Sequence, residues 1–131
     1  MHQNENPFAR TGKFLSGLAA FLLALDSLGK LARAQAVLDG TTQLGYSINT
    51  VVPLGLLLLA CVVIYVVPRT AVLGALLLTG YLGGAVATHV RVGNPLFTHV
   101  LFPTYVAAVI WGGLMLRDAR LRALAPGRRQ A

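Results

Sequence analysis

The sequence predicts an all-α fold: a four-helix transmembrane bundle with antiparallel neighbours and both termini in the cytoplasm. Three observations carry this reading. Of 131 residues, 56% are hydrophobic and 11% are charged, whereas a soluble domain carries about 25% charged residues. The charges are also segregated, with none between Asp39 and Arg69, between Arg69 and Arg91, or between Arg91 and Arg117. Each gap can hold the roughly 20 apolar residues that cross about 30 Å of hydrocarbon, and none shows the polar stripe of a soluble surface helix.

The elements follow in order. Residues 1–12 are polar and read as a loose N-terminal arm. The membrane domain spans residues 13–117, with helices at about 13–36, 50–67, 71–91 and 99–117. Asp26 and Lys30 interrupt the first helix. Its apolar run has basic residues ahead of it, as a secretory signal does, but no small-x-small cleavage site follows promptly, so it reads as a span. Beyond Lys30 the helix extends out of the membrane until Asp39-Gly40 breaks it. Pro53 falls in the first turn of the second helix, where a missing N–H does no harm. Pro68 stops that helix, and the short turn around Arg69 makes helices two and three antiparallel neighbours. Gly93-Asn94-Pro95 is the next turn, and Pro103 sits early in helix four. Residues 118–131 form a basic cytoplasmic tail that begins as a short interfacial helix.

Basic residues set the orientation. Arg10, Lys13, Arg69, Arg117, Arg120, Arg122, Arg128 and Arg129 fall on one side of four spans, against Lys30, Arg33 and Arg91 on the other. The excess marks the cytoplasmic side. The net charge of +7 is thus read as topology and contact with anionic headgroups of the lipid bilayer, not as nucleic-acid binding. The single cysteine, Cys61, cannot form an internal disulfide and reads as a small core residue.

Helices in lipid associate by close contact at small residues. Gly80 and Gly84 have GxxxG spacing, with Gly83 beside them. They read as helix-packing positions, either inside one bundle or in a homo-oligomer.

The polar residues gather toward the non-cytoplasmic ends of the helices. Asp26 and Lys30 share a helix face at i and i+4 and can pair. His89 and Arg91 close helix three, and His99 opens helix four. An ionisable group inside a span marks a functional site by default. Against that stand a neutralising Asp26–Lys30 salt bridge, snorkelling of Lys30 and Arg91 to headgroups, and histidines that only satisfy helix ends. Three uses of this shallow cluster remain open. It could bind a quinone, with histidine and arginine donating to its oxygens and histidine carrying protons. It could ligate one haem through His89 and His99, a geometry the short turn between them makes difficult. It could order the rim of a scaffold that binds a partner. No Ser-His-Asp set, phosphate-binding loop or metal-spaced Cys/His pattern occurs, so a stand-alone enzyme is the least favoured class.

The run PRTAVLGALLLTGYLGGAVATHVRVGNPLFTHVLFP, followed by WGGLMLRDARLRAL, resembles the DoxX-like family of small bacterial membrane proteins. The similarity covers about Leu28 to the tail, and Ser27-Leu28-Gly29-Lys30-Leu31 looks like the G-x-x-K-L element that closes the family's first helix. The resemblance implies four membrane helices in the bacterial inner membrane and an association with quinone-linked redox systems and their partner proteins. It also implies one departure. Many relatives carry a glutamate in the segment corresponding to Leu54–Ala60, which is wholly apolar here.

Overall fold

The computed structural model describes residues 6–124, with no strand among them. The helices are α1 (Pro7–Leu31), α2 (Gln35–Gln43), α3 (Val51–Val66), α4 (Ala71–Arg91), α5 (Phe102–Arg117) and α6 (Ala119–Ala123). A 3-10 turn at Ile48–Thr50 leads into α3, and a π-helical turn at Leu96–Val100 leads into α5. With those turns, α1, α3, α4 and α5 are the four helices long and apolar enough to cross a membrane.

The first helix differs from expectation at both ends. Asn6 caps it, its Oδ1 accepting from the Phe8 N–H at 3.1 Å, and Pro7 takes the first position. Residues 7–12 are therefore helical, not a loose arm. At the other end α1 stops at Leu31 instead of running to 36. Arg33 adopts a left-handed conformation, φ 54°. Its N–H donates to the Lys30 carbonyl at 3.2 Å, and the Ala34 N–H donates to the Gly29 carbonyl at 3.0 Å. This is a Schellman closure with arginine where glycine usually sits. The expected break at Asp39-Gly40 lies inside α2, where Gln35 Nε2 donates to Asp39 Oδ1 at 2.8 Å. The Thr41 and Thr42 hydroxyls donate back to the Val37 and Leu38 carbonyls. These side-chain bonds hold one helical stretch across the glycine.

The later elements follow the proline pattern, with Pro53 and Pro103 in the first turns of α3 and α5. Asp118 caps α6 by accepting from the Arg120 N–H at 2.9 Å. Arg128 and Arg129 of the basic tail lie outside the described residues.

α1 packs on α3 and α5, and α4 packs on the same two, so α1 and α4 occupy opposite corners. Adjacent spans run antiparallel. Backbone contact at glycines sets their approach. A Cβ on Gly12 would lie 2.7 Å from the Gly113 carbonyl oxygen, and one on Gly113 2.7 Å from Ser16 Oγ. A Cβ on Gly55 would lie 2.8 Å from Lys30 Cβ, and one on Gly74 would overlap the Tyr65 backbone. Gly80, Gly83 and Gly84, expected to mediate packing, have no atom within 4 Å of a would-be Cβ. Inside this bundle the close contacts belong to other glycines.

The end of the bundle that carries the termini is sealed. Tyr65 is 1% exposed. Its hydroxyl donates to the Ile110 carbonyl at 3.0 Å and shares a hydrogen bond with Ser16 Oγ at 2.9 Å, tying α3 to α5 and α1. The Arg117 guanidinium lies 5.5 Å from the Tyr65 ring centroid, a cation–π distance. Buried polar groups in a bilayer have no water to turn to. The Tyr65 and Ser16 hydroxyls and the Ile110 carbonyl answer that demand among themselves, whereas Arg117 Nε and Nη2 are buried with no hydrogen-bond partner and face the Tyr65 ring as a cation. Outward faces carry Phe14, Phe21, Leu56, Leu73 and Leu76, a surface suited to lipid.

Gly74→Ala drives a methyl into the Tyr65 backbone and is expected to cost about 1–3 kcal/mol, the range for overpacking. Gly83→Ala enters open space and gains about 0.5–1 kcal/mol from helix propensity. Thermal unfolding of the purified protein in detergent, followed by circular dichroism, gives both signs. By the same measurement, Arg33→Gly is expected to stabilise by about 1 kcal/mol, because a left-handed non-glycine residue carries a steric penalty of roughly 1–2 kcal/mol. A fall in Tm for Arg33→Gly would count against that closure.

Candidate functional site

Helix ends build the site. Gly93, φ 74°, closes α4. Its N–H donates to the Val90 carbonyl at 3.1 Å, and the Asn94 N–H donates to the His89 carbonyl at 3.1 Å. This second Schellman turn folds Asn94 back over the helix, where its Nδ2 donates to His89 Nδ1 at 2.7 Å. A neutral imidazole that accepts at Nδ1 carries its proton on Nε2, so His89 keeps a free N–H donor. Pro95 opens the π-helical turn that carries His99. The rings of His89 and His99 meet edge to face, with centroids 6.0 Å apart and 68° between planes. His99 Nδ1 pairs with the Thr98 hydroxyl at 2.8 Å.

α2 ends in the same way. Gly45 has φ 87°, its N–H donates to the Thr42 carbonyl at 2.9 Å, and the Tyr46 N–H donates to the Thr41 carbonyl at 3.4 Å. The turn delivers Tyr46 to α4, where its hydroxyl and that of Thr88 share a hydrogen bond of 2.9 Å. Arg91 Nη2 donates to the Leu44 carbonyl at 2.8 Å. Two bonds from the last turns of α4 therefore hold the α2–α3 connection over the end of the bundle.

On α1, Lys30 Nζ donates to Asp26 Oδ2 at 2.5 Å. The Lys30 side chain is 10% exposed and that of Asp26 43%. Lys30 packs its Cβ against Gly55 of α3, and the Asp26 side chain that its ammonium holds is the more exposed of the pair. The Gly55 contact sets the register of α1 on α3, and the Gly74–Tyr65 contact sets that of α3 on α4. Together they put Asp26 about level with Leu58 and Tyr81, at the middle of α4. The polar groups are thus not one shallow layer, because Asp26 lies deep and the histidines lie near the helix ends.

These groups surround a cavity of about 820 Å³, within the range of roughly 300–1,000 Å³ usual for small-molecule sites. Of the five residues of the candidate cluster, Asp26, Lys30, His89 and His99 line it. Arg91 is not among the lining residues; it serves the Leu44 carbonyl instead. Tyr46, Tyr81, Thr88 and Asn94 also line the cavity and were not expected. Tyr81 and Thr88 stand seven residues apart, hence on one helix face, and that spacing was available as a signal. Tyr46 had none, because it reaches α4 through a fold contact 42 residues away.

Most of the remaining wall is apolar, with Leu22, Leu23, Leu54, Leu82 and Val106, and Thr41 and Gln43 of α2 add polar groups at the covered end. An oily chamber with convergent polar groups is equipped to hold a lipophilic molecule by its polar oxygens. Imidazole N–H groups can donate to such oxygens, and a carboxylate can accept from a hydroxyl of such a molecule. Among the described residues, no three His, Cys, Asp or Glu side chains converge in a way that could hold a metal ion.

No curated protein matches this chain, and no solved structure does. The DoxX-like family matches residues 14–113. The matched stretch takes in all of α2, α3 and α4, most of α1 and α5, and every residue named above as lining the cavity. With four helices able to span a bilayer and a family match over most of its length, the chain is a multi-pass membrane protein and belongs to the DoxX-like family.

Proposed function

We propose that this protein is a quinone-binding membrane subunit of a redox system, and that the cavity between the four spans holds the quinone headgroup. The observation that carries this reading is the composition of the cavity wall. An apolar chamber of about 820 Å³ meets Asp26, His89, His99, Asn94 and Tyr81, and a quinone is a lipophilic molecule with two carbonyl oxygens to satisfy. The free N–H of His89 suits one oxygen. The deep Asp26 carboxylate, held by Lys30, suits the hydroxyl of the reduced form. The protein lies in the bacterial inner membrane with both termini cytoplasmic, as the excess of Arg and Lys at that end of the bundle favours. A separate partner protein exchanges electrons with the bound quinone.

One observation favours a second reading, a partner-binding scaffold. The cavity's polar groups also bond one another, in the pairs Asp26–Lys30, His89–Asn94 and Tyr46–Thr88. A cluster serving only structure would look much the same.

Titration of a decyl-tailed benzoquinone into the purified protein, read by calorimetry, separates the two. The quinone site predicts saturable binding of this oxidised probe that His89→Ala weakens by about tenfold, and binding of its reduced quinol that Asp26→Asn weakens by about tenfold, the value of one good hydrogen bond in each case. The scaffold predicts no saturable binding by the wild type, with the same substitutions registering only as a lower Tm.

A further inference from the structure

Gly80 and Gly84 make no packing contact inside the bundle. Both are exposed, and neither has an atom within 4 Å of a would-be Cβ. Yet both line the cavity. A residue that is at once cavity wall and outer surface marks an opening. With Thr88 they form a row at i, i+4 and i+8 along one edge of α4. Thr88 meets Tyr46 of the connection into α3, so the row lies on the α3 side, and Leu54 of α3 lines the same stretch of cavity. Closer to the hairpin the α3–α4 seam is shut, with Gly74 pressed on the Tyr65 backbone. The seam thus changes from backbone contact to open space within two turns of α4.

Depth decides what lies outside. Gly80 is next to the centre of α4 and Gly84 one turn beyond, so the opening faces hydrocarbon and not water. The outer end of the cavity is covered by α2 and its turn, held by the Tyr46–Thr88 and Arg91–Leu44 bonds. The other exposed apolar residues of the wall, Leu22 and Phe102, place large side chains over it. Gly40 of α2 also lines the cavity with open space around it, but it belongs to the cover at the outer end; among the lining residues of the four spans, the pair Gly80 and Gly84 leaves the wall without side chains.

We infer that Gly80 and Gly84 form a lateral portal through which the hydrocarbon tail of a bound lipophilic ligand extends into the bilayer, so that the ligand is drawn from lipid and not from water. This rests on the quinone reading of the cavity and adds the tail as part of the recognised molecule. The headgroup sits among Asp26, His89 and His99, and the tail crosses α4 where no side chain blocks it. The GxxxG spacing serves clearance for a ligand, not approach of another helix.

The test compares two probes on four proteins: the decyl-tailed benzoquinone and the same benzoquinone without its tail, titrated into wild type, Gly80→Leu, Gly84→Leu and Gly83→Leu. Gly83 has equal open space but does not line the cavity, so its variant controls for an added apolar side chain. The portal predicts that Leu at 80 or 84 weakens the tailed probe by about tenfold or more, a steric exclusion equal to about 1.4 kcal/mol at the lower bound. Binding of the tailless probe and the behaviour of Gly83→Leu then match wild type. Equal binding of the tailed probe by all four proteins overturns the portal and leaves the quinone site standing. Loss of both probes at Gly80→Leu and Gly84→Leu also overturns it, because the glycines then shape the headgroup site. Wild type that binds neither probe overturns the quinone reading and the portal with it. If a leucine variant does not fold, Gly80→Ala/Gly84→Ala, favoured by helix propensity, carries the comparison with a smaller expected loss. A tenfold loss for Leu22→Trp, with the glycine variants unchanged, would put the opening on the α1–α5 side and contradict the proposal.

Discussion

The architecture depends on where helix backbones touch. Leucine gains little by leaving lipid for a protein interior, so association in a bilayer rests on close van der Waals approach at small residues. Four glycines supply it. Gly12 and Gly113 join α1 to α5 at the end that carries the termini, and Gly74 joins α4 to α3 at the same end. Gly55 joins α3 to α1 at the opposite end. α1 is therefore held to one neighbour near its start and to another near its finish. The space it leaves beside α5, and the space α4 leaves beside α3, merge into the cavity. A bundle closed all along its length would need glycine contacts on every seam at both ends.

The two ends of the bundle treat polar groups differently. At the sealed end Tyr65, Ser16 and the Ile110 carbonyl satisfy one another. At the far end each polar group is only partly used. Asn94 occupies one nitrogen of His89, Thr98 one of His99, and Lys30 one oxygen of Asp26. His89, His99 and Asp26 all line the cavity. The Schellman closures at Gly45 and Gly93 produce this arrangement by local means, because each folds a polar residue, Tyr46 or Asn94, back toward α4. The chemistry of the site thus follows from how two helices end.

The number of spans and the positions of the second to fourth were legible, because charge segregation and proline placement report directly on the bilayer and on backbone N–H groups. The early end of α1 was not, since closure at Arg33 uses a residue type that rarely adopts positive φ, and neither Gly nor Pro announces it. The pairing of Asp26 with Lys30 could be read from i,i+4 spacing. The role of Arg91 could not, since its acceptor is a backbone carbonyl 47 positions away. The glycines that pack inside the bundle escaped notice for a related reason. GxxxG spacing shows that a helix face is small but not whether another helix lies on it, whereas Gly12, Gly55 and Gly74 carry the contacts without any local pattern.

The measurement that bears most directly on the central claim is native mass spectrometry of the protein released gently from quinone-containing membranes. A cavity that takes its ligand from lipid should retain a small lipophilic molecule of quinone mass, and Ala85→Trp, which fills the chamber, should remove it. A wild-type protein that emerges bare from such membranes, or a Trp variant that keeps the same adduct, would contradict the assignment of the cavity as a ligand site.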